Sequence, residues 1–210
     1  YLSWNEIQLG RGETIADTAN TLSRYVDAVM ARLDSHKDII KLANYATIPV
    51  LNGLTDMYHP CQILADLLTI KERKGRLQGL KLAYVGDGNN ICNTLLVGCA
   101  KVGINISVAT PRGYRPNKES IHLAEKASEE AGSIVELTSE PKMAVKDADI
   151  VYTDVFVSMG KESEKRRRMK VFLPKYRVTE KLLSYAKADV RFMHCLPARR
   201  GEEVESEVID

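Results

Sequence analysis

From Lys81 onward the chain alternates short apolar runs with amphipathic stretches. The runs are Leu82–Val85, Ile104–Ala109, Ile134–Thr138, Ile150–Thr153 and Val190–Met193, each bounded by turn residues and of strand length. Between them the spacing predicts helices over Ile91–Val102, Asn117–Ala131, Pro141–Lys146 and Val178–Ala188, the first two closed by Gly103 and Gly132. Strands separated by helices run parallel, because a tight turn joins only antiparallel neighbours. The alternation therefore predicts an α/β protein with a doubly wound, Rossmann-like sheet, whose ligands bind outside the carboxyl ends of the strands.

The amino-terminal third repeats the alternation with fewer strands. Helical spacing over Glu13–Arg24 precedes the apolar run Val26–Ala31, which ends at Arg32. A helix over His36–Tyr45 precedes a second run, Ile48–Leu51, and then an expected turn at Asn52-Gly53. This is again a parallel pattern, but with too little chain for a whole sheet, so this first lobe is expected to be cut off at its amino end.

The stretch Tyr58–Arg73 connects the two lobes. Pro60 suits the first position of a helix, where its missing N–H costs nothing. Ile63, Leu64, Leu67 and Leu68 recur at helical spacing and are expected to form its buried face. Lys71, Arg73 and Lys74 suit the last turn, and Gly75 stops it. His59 and Gln62 stand at the amino end, where free N–H groups and the dipole attract an anion. The helix is thus read as one wall of an anion site, with 1–75 as the first lobe and 76–210 as the second. The plainer alternative makes His59 a cap and leaves Gln62 solvated.

Composition narrows the function classes. Lys and Arg number 30 against 28 Asp and Glu, a net charge of +2, so bulk charge gives no reason to expect nucleic acid or an anionic membrane. No apolar run approaches the roughly 18 residues of a membrane span, and nothing resembles a signal peptide. The cysteines at positions 61, 92, 99 and 195 lack the spacing of a zinc knuckle or redox dithiol. Four thiols beside 44% hydrophobic content suggest a reducing compartment and a soluble intracellular α/β protein.

Four motifs carry candidate chemistry. Gly86-Asp87-Gly88-Asn89-Asn90-Ile91 joins a strand to a helix as a dinucleotide fingerprint does, but Ile91 replaces the third glycine and the next strand ends in Thr110. Both departures argue against a nicotinamide cofactor. Asn89 and Asn90 either cap the helix or hydrogen-bond a carboxylate, and the two roles are compatible. Asp154, at the end of a strand and before Ser158-Met159-Gly160, is either an ordinary turn residue or the partner of a substrate ammonium. Arg166, Arg167 and Arg168, among Glu162 and Glu164, read as a solvated helical face. Cys195, in His194-Cys195-Leu196-Pro197, is a small buried hydrophobe or a polar group lining a site.

Together His59-Pro60-Cys61-Gln62, Gly86-Asp87-Gly88-Asn89-Asn90, Asp154 with Ser158-Met159-Gly160, and His194-Cys195-Leu196-Pro197 resemble the transcarbamylase family, in the family's order and across nearly the whole chain. The Ser-Met-Gly loop and the His-Cys-Leu-Pro turn resemble its ornithine-using branch. The resemblance implies transfer of a carbamoyl group from carbamoyl phosphate to the δ-amine of L-ornithine, giving L-citrulline in arginine biosynthesis. It implies a carbamoyl-phosphate lobe and an ornithine lobe with the active site between them, no metal or organic cofactor, and a cytoplasmic homotrimer or multiple of trimers. Arg32, His59 and Gln62 match positions that bind carbamoyl phosphate; Arg32 and His59 would polarise its carbonyl. Asn90, Asp154, Ser158 and Met159 match positions that hold the α-amino and α-carboxylate groups of ornithine. Cys195 and the Leu196 carbonyl match positions beside the reacting amine and the carbamoyl group. The family's Ser-Thr-Arg-Thr-Arg phosphate cradle and its carboxyl-terminal helix are not in the sequence, so the chain is expected to be the middle of the enzyme. Competing expectations are a non-catalytic amino-acid-binding fragment or paralogue, and a nucleotide-dependent oxidoreductase.

Overall fold

Thr14 and Ser35 each start a helix by accepting the N–H of the residue three further on, giving α1 (Ile15–Leu22) and α2 (His36–Tyr45). These helices alternate with two parallel strands, β1 (Val29–Arg32) and β2 (Val50–Leu54). Residues 1–3, 6–158 and 160–210 are described by this computed structural model. The chain divides into one unit at Tyr1–Cys61 and another at Gln62–Asp210.

The expected turn at Asn52-Gly53 is instead part of β2. Ala31 faces Asn52 and Arg32 faces Leu54, so Gly53 is the residue the pairing skips. A Cβ at Gly53 would sit 2.5 Å from Met30 Sδ and 3.2 Å from the Ala31 carbonyl oxygen. Asn-Gly here encodes a bulge and a close approach of two strands, not a hairpin. Strand β1 also begins later than the apolar run, leaving Tyr25 and Val26 exposed.

Helix α3 (Pro60–Lys74) starts at Pro60 as expected and ends in Lys71, Arg73 and Lys74. Gly75 follows in the left-handed conformation, at φ 74°, and its N–H closes on the Lys71 carbonyl. The buried face keeps Ile63, and partly Leu67, of the expected set but not Leu64 or Leu68. Ile63, Asp66 and Ile70 are buried, whereas Leu64 is 68% exposed and Leu68 58%. The inward stripe runs at spacings of three and four residues from Ile63 and includes a carboxylate.

The second unit is the doubly wound sheet. Strands β3 (Lys81–Val85), β4 (Asn105–Ala109), β5 (Val135–Thr138), β6 (Ile150–Thr153) and β7 (Arg191–His194) run parallel in the order β5-β4-β3-β6-β7. Alternate residues serve opposite faces. Leu82, Tyr84, Ile150 and Tyr152 pack with α3, α4 (Asn90–Lys101) and α5 (Lys118–Ala131). Ala83, Val85 and Val151 pack with α6 (Pro141–Val145) and α7 (Lys165–Tyr176).

The expected helix over Val178–Ala188 shortens to α8 (Glu180–Leu183). Val178 bridges Val204, and the Tyr185 carbonyl and Lys187 N–H bond to the chain leading into β6. Those backbone bonds replace a longer helical ladder. Helix α9 (Ser206–Ile209) closes the chain. No described helix is long and apolar enough to cross a membrane.

Gly88 tests how tightly the β3 exit is packed. A Cβ there would overlap the Arg115–Pro116 backbone, which cannot rotate aside as a side chain can. Gly88→Ala is expected to cost about 1–3 kcal/mol, read as a lower urea midpoint at unchanged slope. An unchanged midpoint would show that the 111–116 loop retreats freely.

Candidate active site

Winding reverses between β3 and β6, so their carboxyl ends open a crevice where an α/β sheet places its ligand. Thr153 Oγ1 ties the two strand ends by donating to the Val85 carbonyl at 2.6 Å. Asn89, just after β3, caps α4: its Oδ1 accepts the Cys92 N–H at 3.1 Å and lies 3.4 Å from the Tyr84 hydroxyl. With that oxygen committed to the helix, the amide nitrogen must face the crevice. There Nδ2 donates to Asp154 Oδ2 at 2.6 Å and to Ser158 Oγ at 3.3 Å. Capping and carboxylate binding, both open from the sequence, are performed by one side chain.

Asp154 receives a second donor from β7. Cys195 Sγ donates to Asp154 Oδ1 at 3.1 Å. Burial pushes the Cys195 thiol up, and the neighbouring Asp154 charge pushes it further the same way. It stays protonated near neutral pH and serves as a donor, not as a thiolate nucleophile. Asp154 is only 6% exposed, and its donors in this cluster are neutral. Among the described residues no Lys or Arg forms an ion pair with it. A carboxylate so placed can still receive a cation.

The turn after β7 is held from behind. His194 Nδ1 accepts the Leu196 N–H at 2.8 Å, which puts the ring proton on Nε2, 3.2 Å from Glu203 Oε1. Glu203 is fully buried and also accepts the Arg199 N–H. This network sets Leu196 at φ 55° with its side chain outward. Asp154, His194 and Cys195 bring ligand-type atoms within 4.8 Å of one another. Both His194 nitrogens already serve the turn, so a metal ion would have to displace one of those bonds.

A second polar cluster sits on α3. Gln62 Nε2 donates to Asp66 Oδ1 at 2.9 Å, and the Tyr152 hydroxyl donates to Asp66 Oδ2 at 3.0 Å. Burial raises both the Asp66 carboxyl and the Tyr152 phenol, so the phenol keeps its proton. Asp66 and Tyr152 were not singled out from the sequence. The available signal was an acid three residues after Ile63, on the stripe that continues to Ile70.

The remaining predicted residues divide as follows. Arg32 is the last residue of β1 and His59 directly precedes α3, both in the first unit. Asn90 is the first residue of α4, and its Oδ1 accepts the Ile91 N–H at 3.0 Å. Ser158 joins the Asn89 cluster, whereas Met159 lies outside the described residues. The dinucleotide reading loses its ground at Gly88, whose N–H binds the Tyr114 carbonyl at 2.9 Å. The chain's own 111–116 loop occupies the approach that a pyrophosphate would need.

The arginine run is a correction. Arg166 and Arg167 are exposed, but Arg168 is 7% exposed and enters the core. It binds Asp87 Oδ2 at 2.7 Å, the Phe156 carbonyl at 3.1 Å and Glu164 Oε2 at 3.0 Å, and lies over the Tyr114 ring. One position in three falls on the inner face of α7, which charge patterning alone does not reveal.

Two family models match. The carbamoyl-P binding domain of aspartate/ornithine carbamoyltransferase matches residues 1–72, and the Asp/Orn binding domain matches 78–210. The ornithine carbamoyltransferase of Bacillus subtilis is 56% identical over 210 residues, covering 100% of this chain and 66% of that protein. The solved ornithine carbamoyltransferase from Pyrococcus furiosus superposes with a TM-score of 0.94 at 55% identity, over 98% of this chain and 66% of that one. An N-acetyl-L-ornithine transcarbamylase structure aligns at a TM-score of 0.81 and 26% identity, over 93% of this chain and 65% of that one. The chain thus spans just under two thirds of the length of these relatives.

The Arg168–Asp87 pair yields a signed pH prediction. Burial holds the Asp87 carboxyl above its ordinary range even beside Arg168. A raised folded value means that its contribution is fully present below the ordinary carboxylate pKa and is lost as pH rises through the folded value. Arg168→Met removes the cation and raises that value further. The variant is expected to lose about 3–5 kcal/mol near neutral pH, a loss that shrinks on acidification as Asp87 takes a proton. Urea midpoints across the acid range measure this; a pH-independent loss would assign the effect to packing alone.

Proposed function

The chain belongs to the aspartate/ornithine carbamoyltransferase family, and we propose that the protein transfers the carbamoyl group of carbamoyl phosphate to the δ-amine of L-ornithine, releasing L-citrulline and phosphate. The observation that carries the acceptor is Asp154, a buried carboxylate bound by Asn89 and Cys195 at the sheet reversal, with no described Lys or Arg paired to it. It suits the α-ammonium of an amino acid. Asn90, Ser158 and Met159 complete that reading by holding the rest of the α-amino and α-carboxylate groups.

In this reading residues 1–75 form the carbamoyl-phosphate lobe and 76–210 the ornithine lobe, which the matched family models at 1–72 and 78–210 support. Arg32 and His59 polarise the carbamoyl carbonyl, and Gln62 holds its amide. Cys195 and the Leu196 carbonyl lie beside the reacting groups. The same reading takes the working assembly to be a cytoplasmic homotrimer or multiple of trimers.

The chemistry sets the size of each contribution. The nucleophilic amine must be neutral, and a Lys-like amine has a pKa of about 10.4, so its deprotonation at pH 7 costs about 4.6 kcal/mol. Desolvation lowers that cost, and the departing phosphate can take the proton. The N–C bond forms at the carbamoyl carbon as its bond to the phosphate oxygen breaks. Charge growing on the carbonyl oxygen is stabilised by Arg32 and His59, where one positioned donor is worth about 3 kcal/mol. Orientation of the two substrates contributes about 7–11 kcal/mol. No covalent step at Cys195 is required, in keeping with its protonated thiol.

The test is citrulline formation from carbamoyl phosphate with L-ornithine, run beside putrescine, N-acetyl-L-ornithine and L-aspartate. Citrulline alone supports the reading. Product from another amine moves the acceptor within the family, and ornithine binding without turnover makes this a binding protein. Within the active protein, Asp154→Asn is expected to raise the KM for ornithine about 10- to 100-fold, the loss of a hydrogen bond between charged groups. The KM for carbamoyl phosphate should change far less. Equal losses for both substrates would remove Asp154 from the ammonium site.

A further inference from the structure

We propose that Asp66 is a positioning residue that fixes the amide of Gln62 so that its carbonyl oxygen, not its nitrogen, is offered to the carbamoyl NH2 group. The inference rests on the reading that Gln62 binds the carbamoyl group. It adds the reason why an amide, which can present either end, presents the accepting one.

The geometry supplies the argument. Gln62 Nε2 lies 2.9 Å from Asp66 Oδ1, and the Tyr152 hydroxyl lies 3.0 Å from Asp66 Oδ2. An ionised carboxylate only accepts. It therefore draws the NH2 end of Gln62 toward itself and turns Oε1 away. The reverse orientation would set two acceptors against each other in a buried position, since Asp66 is 5% exposed. Tyr152 occupies the second carboxylate oxygen from β6, and its buried phenol keeps the proton it donates. Asp66 itself is locked into the helix face between Ile63 and Ile70. Gln62, Asp66 and Tyr152 all belong to the same unit.

The demand from the substrate is complementary. The carbamoyl nitrogen carries hydrogens and has little acceptor character, so it needs an acceptor. A Gln62 amide turned the other way would set donor against donor. Retaining a carboxylate on the buried face of α3 works against the fold, because burial raises its pKa. A neutral residue of the same shape would pack there more easily. A function that requires an acceptor-only group accounts for the acid.

The experiment uses the protein as its gene encodes it. Asp66→Asn keeps the shape and can still accept from Tyr152, but its NH2 group then faces Gln62 and favours the flipped amide. The expected result is a KM for carbamoyl phosphate raised about 10- to 100-fold, with the KM for ornithine little changed and the melting temperature equal or higher. The double variant Q62E/D66N restores an acceptor: the introduced carboxylate can take the new NH2 group with one oxygen and the carbamoyl NH2 with the other. It is expected to recover a large part of the lost affinity. In the unaltered protein the Gln62 side-chain NH2 protons should exchange slowly with water. An unchanged KM in Asp66→Asn, no recovery in the double variant, or fast exchange of both Gln62 protons would each overturn the proposal. An unaltered protein that transfers the carbamoyl group to none of the tested amines would instead overturn the reading beneath it, and this assignment with it.

Discussion

The amide of Asn89 joins the fold to the chemistry. Its oxygen must cap α4, because the first N–H groups of a helix have no partner within the helix. Its nitrogen is thereby aimed at Asp154, across the reversal of the sheet. The strand order brings the end of β6 beside the end of β3, and Cys195 reaches the same carboxylate from the end of β7. Three strand ends thus converge on one acid through bonds that leave its charge uncompensated by the described cations. Swapping Asn89 for a residue that only caps, such as Ser, would keep the helix and give up the aim.

The buried acids of the second unit show two ways of keeping a carboxylate out of water. Asp87 is held by Arg168, which also clasps the Phe156 carbonyl and Glu164, so the segment carrying Ser158 is anchored on both sides. Asp66 is held by neutral donors, as Asp154 is, from Gln62 and Tyr152. The charge-paired acid is structural. Neutral donors do not by themselves mark a ligand site, since buried Glu203 is held by His194 and the Arg199 N–H and only braces the turn after β7. At an acid proposed to receive a substrate cation, as Asp154 is, a cation already in place would compete with the ligand, whereas a neutral donor orients the group and leaves its field available.

Much of this was legible in the sequence, because strand and helix periodicity over 81–193 leaves few topologies, and polar residues at strand ends then fall on one edge. The start of α3 at Pro60 and its stop at Gly75 were legible for the same local reasons. What escaped depends on three-dimensional neighbours. Asn52-Gly53 carries turn chemistry, yet Gly53 is spent on a bulge against Met30. Leu64 and Leu68 carry helical spacing, yet the true inner stripe runs from Ile63 through Asp66 to Ile70 and leaves both leucines exposed. Arg168 carries the same charge as its exposed neighbours, and only the rotation of α7 sets it apart. Asn89 was legible as a cap and as a carboxylate partner; that the carboxylate would be the chain's own Asp154 was not.

The most direct test of the central claim is a crystal structure of the protein with L-ornithine. The account predicts the α-amino nitrogen at about 3 Å from an Asp154 carboxylate oxygen, with the Asn89 amide still capping α4 and donating to the same acid. An ornithine whose α-amino group lies away from Asp154, with the acid bound only to Asn89 and Cys195, would contradict it.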